Sequence, residues 1–167
     1  MLKAPDNLLP LLLVEQQSKA WQHFTEQHPN MALTIPEQVL GDFKLFITLS
    51  DFALRSLLQE PNKFIALFTS GDIYGLSPSD YLPMVNNELN NCHSEAELHQ
   101  QLRLFRLQQM VKIAFADLVL NIALEQSLRD LSNLADALIL AARDWLSDYC
   151  YQKWGTPVNQ AGSASRC

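Results

Sequence analysis

The chain has 167 residues, 48% hydrophobic and 18% charged, a balance that belongs to a folded domain with a real core and excludes a disordered tail. Its formal charge is −6 and its pI about 5.1, which argues against a general nucleic-acid binder, since such a protein presents a basic face. The three cysteines, Cys92, Cys150 and Cys167, form no CxxC pair and leave an odd one over, so they read as reduced thiols of a cytosolic protein.

The apolar run from Leu8 to Val14 is short, is interrupted by Pro10, and lies between Asp6 and Glu15. No small-residue cleavage site follows it, so it reads as part of a helix and not as a signal peptide. No apolar run approaches the roughly 20 residues that a membrane span needs. Asp6 to His28 is expected to form one amphipathic helix, capped by Asp6 or Asn7, with Trp21 and Phe24 on its apolar face. Pro29-Asn30 should end it, and Met31 to Pro36 should be a connector.

Helical spacing resumes from Pro36 to Gln59 through Leu40, Phe43, Phe46, Ile47, Leu54, Leu57 and Leu58, with Ser50 placed to cap a second segment. Glu60-Pro61-Asn62 breaks the pattern, and Pro61 suits the first position of a short helix through Phe64, Leu67 and Phe68. Ser70-Gly71-Asp72 and Tyr74-Gly75 are turns. Ser77-Pro78 is expected to open a helix carrying Tyr81, Met84, Val85 and Leu89 and ending near Asn91.

Ser94-Glu95-Ala96-Glu97 is a capping box ahead of a long helical pattern through Leu98, Leu102, Phe105, Val111, Ile113, Ala114 and Leu118. After a break near Asn121, a second pattern sets Leu128, Leu131, Leu134, Ala135, Leu138, Ala142, Trp145 and Tyr149 on one stripe. Trp154-Gly155-Thr156-Pro157 supplies a Gly stop and a Pro that cannot continue a helix. With no alternating run anywhere, the expected fold is all-α: a helical bundle whose spine is a long antiparallel helix pair, about 95–120 and 124–154. Trp145 and Trp154 are expected to be core or cap aromatics.

Five blocks in order carry a family resemblance. They are Leu102-Arg103-Leu104-Phe105-Arg106, Met110-Val111-Lys112-Ile113-Ala114, Leu131 to Leu138, Ala141-Ala142-Arg143-Asp144-Trp145-Leu146, and Trp154-Gly155-Thr156-Pro157. Together they resemble the N-terminal part of the bifunctional glutamine synthetase adenylyltransferase/adenylyl-removing enzymes. The likeness is dense from about Glu95 to Ala161, looser from Phe43 to Cys92, and weak before that. It implies that residues 1–157 are the helical N-terminal domain and that 158–167 begin the passage into a nucleotidyltransferase domain. In the family, one half attaches AMP from ATP to a tyrosine of glutamine synthetase, and the N-terminal half removes it by phosphorolysis, releasing ADP. ATP or ADP, Mg²⁺, glutamine, glutamine synthetase and the PII signal protein are the cofactors and partners that the resemblance implies, in the cytoplasm, with no nucleic acid and no membrane.

Adenylyl transfer needs a glycine-rich turn whose backbone amides approach the phosphates, and two close carboxylates for the metal. The family's GxGKxGG and Ser-Asp-x-Asp segments have no counterpart in this sequence. Ser50-Asp51-Phe52-Ala53 carries Ala53 where the second carboxylate belongs, and Ser79-Asp80 and Ser147-Asp148 are no better. His23, Glu26 and His28 lack a two-His helical spacing, and Cys92, His93 and His99 lack a fourth ligand and a catalytic orienting group. No catalytic, cofactor-binding or metal-binding residue is therefore assigned.

The family blocks do single out Arg103, Arg106 and Lys112, with positions 103 and 106 neighbours on one helical face. They read either as a solvated face paired with Asp117 or Asp136, or as a contact surface for the nucleotidyltransferase domain or its anionic substrate. The leading expectation is an N-terminal piece of the enzyme, inactive by itself. A non-catalytic helical binding module and a truncated remnant are the other readings.

Overall fold

The computed structural model describes residues 11–75 and 77–156. The expected cap at Asp6 or Asn7, Pro157, and the 158–167 passage lie outside the described residues. Among those described there are eight α-helices and a single 3-10 turn, with no strand, so the all-α expectation stands. The helices are α1 (Leu11–Gln27), α2 (Pro29–Ala32), α3 (Glu37–Leu49), α4 (Asp51–Gln59), α5 (Pro61–Ser70), α6 (Leu82–Leu89), α7 (Glu95–Leu118) and α8 (Leu124–Trp154); the 3-10 turn is Asp72–Tyr74. Among the described residues no helix is long and apolar enough to cross a membrane.

Most boundaries follow local chemistry. Ser50 caps α4 by accepting the Ala53 amide at 3.1 Å. Pro61 opens α5, and Gly71 closes it in the left-handed conformation at φ 81°. Ser94 Oγ accepts the Glu97 amide at 3.3 Å, while Glu97 Oε2 reaches one residue beyond the cap and takes the His93 amide at 2.7 Å. The last turn of α7 loosens into bonds from Leu120 to the Phe115 carbonyl and from Ile122 to the Ala116 carbonyl, and Asn121 turns the chain at φ 53°. Asn is one of the few residues with a Cβ that visits this region readily. Gly155, at φ 81°, ends α8 and donates to the Tyr151 carbonyl at 3.0 Å.

Three expectations are corrected. Pro29 does not lead straight into a connector: His28 breaks α1 at φ −133°, and Pro29 then starts the one-turn helix α2. A proline suits that first helical position because its missing N–H would have had no partner there. The helix expected from Ser77-Pro78 begins at Leu82, because Asp80 Oδ1 accepts the Leu82 amide at 2.9 Å and holds the chain in a turn until then. The buried face of α8 is rotated from the expected stripe. Leu134, Ala137 and Ala141 are buried with Ser127 and Asp130, whereas Leu128, Leu131 and Ala135 are exposed and Leu138, Ala142, Trp145 and Tyr149 are half-buried.

The chain divides into two compact units, one formed by the segment before Pro78 with Met110–Leu128, the other by Pro78–Gln109 with the chain from Arg129 onward. The core of the first is a train of rings. Phe24 meets Phe43 at 5.3 Å, Phe43 meets Phe68 at 4.9 Å, and Phe68 and Phe46 meet Phe115 of α7 edge-on at 5.4 and 5.3 Å. All five rings are buried, and the tilted and edge-on geometry suits their quadrupoles. Ser127 Oγ donates to Asp117 Oδ1 at 2.9 Å, which fastens the start of α8 to the end of α7. In the second unit Tyr81, Val85, Leu89, Leu98 and Phe105 are buried with Leu134, Ala137 and Ala141.

Candidate interaction surface

Arg103 and Arg106 lie on α7 in the second unit, and both are exposed. Neither makes an ion pair among the described residues, whereas Arg143 and Asp144 pair at 2.6 Å. The alternative pairing with Asp117 or Asp136 is not made, and Asp117 is instead held by Ser127. Lys112 lies in the part of α7 that belongs to the first unit. It is half-buried, with Nζ 3.8 Å from where a Cβ on Gly75 would sit. Two arginines thus present bare guanidinium groups, and the lysine lies beside the Gly75 turn.

The second unit also holds an open groove of about 600 Å³ between the Asn86–His93 segment and the last turns of α8. Its α8 wall places Asp144 and Asp148 one turn apart, with Trp145 and Tyr149 beside them. The two rings stack at 5.0 Å and 14°, and Lys153 Nζ sits 5.3 Å from the Tyr149 ring and 4.8 Å from the Trp154 ring. Trp154 is 68% exposed, so it is neither a core nor a buried cap aromatic, while Trp145 is half-buried. The i, i+4 spacing of these residues is visible in the sequence, but which wall of which groove they form is not.

The groove's nucleophile candidate is poorly placed for chemistry. Burial first, and the nearby Glu97 charge second, push the Cys92 thiol above its ordinary range, which disfavours the reactive thiolate. The amide of its neighbour His93 is occupied by Glu97. His28 Nε2 faces the Leu58 carbonyl at 3.3 Å, which requires the ring nitrogen to donate. No three His, Cys, Asp or Glu side chains converge as metal ligands among the described residues. Gly71 and Gly155 serve turns at helix ends and do not form a phosphate cradle. The described residues therefore do not fit a metal-bound nucleotide, and no step through one follows from them.

The described residues thus define an all-α helical domain that carries an exposed arginine pair and a polar groove. Residues 40–166 match the model of the glutamate-ammonia ligase adenylyltransferase family. The chain is 34% identical over 155 residues to the bifunctional glutamine synthetase adenylyltransferase/adenylyl-removing enzyme of Shewanella woodyi, covering 93% of this chain. It is 32% identical over 158 residues to the enzyme of the same name from Shewanella loihica, covering 95% of this chain. In both cases it spans 16% of the relative's length. The chain belongs to the glutamate-ammonia ligase adenylyltransferase family, and it corresponds to an N-terminal part of such an enzyme.

Proposed function

We propose that this chain is the helical lead-in of an enzyme that transfers AMP to glutamine synthetase and removes it by phosphorolysis, and that its own contribution is scaffold and contact surface. The chemistry belongs to a nucleotidyltransferase domain supplying the glycine turn and paired carboxylates, with ATP or ADP and Mg²⁺. PII and glutamine regulate the system, in the cytoplasm. The observation that carries this reading is the exposed pair Arg103 and Arg106, without ion-pair partners among the described residues and inside the family-matched region. Their planar forks suit a carboxylate or phosphate, so they meet the nucleotidyltransferase domain or its anionic substrate.

The test is a fusion that appends to this chain the segment following the matched region in the Shewanella woodyi enzyme. With adenylylated glutamine synthetase, phosphate and Mg²⁺, the fusion releases ADP. Arg103→Ala and Arg106→Ala each lower that rate by about tenfold or more, the scale of one charge-assisted contact, with the urea midpoint unchanged. A folded fusion with no turnover, or losses of rate matched by losses of stability, overturns the proposal.

A further inference from the structure

We draw no further inference here: the strongest candidate, the open groove between the Asn86–His93 segment and the last turns of α8, offers a ligand only the exposed carboxylates Asp144 and Asp148 beside Trp145 and Tyr149, and nothing among the described residues shows what fills it.

Discussion

The Tyr74 hydroxyl donates a 2.7 Å hydrogen bond to Asp42 Oδ2, tying the 3-10 turn to α3 across 32 residues of chain. The Tyr74 ring also stands edge-on to Phe115 at 5.2 Å, so the contact secures the rim of the aromatic core. Burial above all, then the hydrogen bond and the Asp42 charge, hold the phenol well above its usual range.

A raised phenol pKa means that folding favours the protonated form. Its contribution is fully present below the unfolded value of about 10 and is lost as pH rises beyond that. Urea midpoints should therefore fall as pH rises above about 10 in the wild type, and fall less in Tyr74→Phe. At neutral pH, Tyr74→Phe should cost about 1–3 kcal/mol, the scale of a hydrogen bond to a charged group. Equal pH slopes in the two proteins would remove the linkage.

Phe115 touches Phe46, Phe68 and Tyr74 and is fully buried. Phe115→Ala should cost about 3–5 kcal/mol in urea unfolding, through lost transfer energy and the cavity left behind. A loss below about 1 kcal/mol would mean that the ring train is not the core of the first unit.

Leu134 and Leu131 separate the observed face of α8 from the expected one. Leu134 is 2% exposed, and Leu134→Ala should cost about 2–5 kcal/mol. Leu131 is 39% exposed, and in dilute solution Leu131→Ala should change stability by no more than about 0.5 kcal/mol. The reverse order of the two urea midpoints would restore the stripe centred on Leu131.

Ser50 is the sole side-chain cap of α4, through the Ala53 amide. Ser50→Ala should lower stability by about 1 kcal/mol, while Ser50→Asp should keep most of it, because a carboxylate accepts the same bond and favours the helix N-terminus. Thermal melts of the pair decide it, and an unaffected alanine variant would leave the cap without energetic weight.

Cys92 should react with iodoacetamide more slowly than a free thiol at the same pH, because its thiolate is disfavoured. Glu97→Gln should speed the reaction modestly, since it removes the second of the two causes and leaves burial in place. A Cys92 that reacts faster than a free thiol would reopen it as a nucleophile.

Local chemistry by itself determined much of this protein. Ser50, Pro61, Gly71, Ser94 and Gly155 mark helix ends because each satisfies, or does without, a backbone group within four residues of itself. The span of α8 is legible from 124 to 154 for the same reason, and the ordered blocks from Leu102 to Trp154 carry the family. Tertiary structure alone decided which side of α8 is buried. That helix has apolar residues on two faces, and periodicity averages them into one stripe near Leu131 and Leu138, whereas packing selects Leu134, Ala137 and Ala141. It also parted Lys112, set against the Gly75 turn, from the solvent-facing Arg103 and Arg106. Spacing along a helix gives the angle between two side chains, but a distant segment such as the Gly75 turn determines which of them is covered.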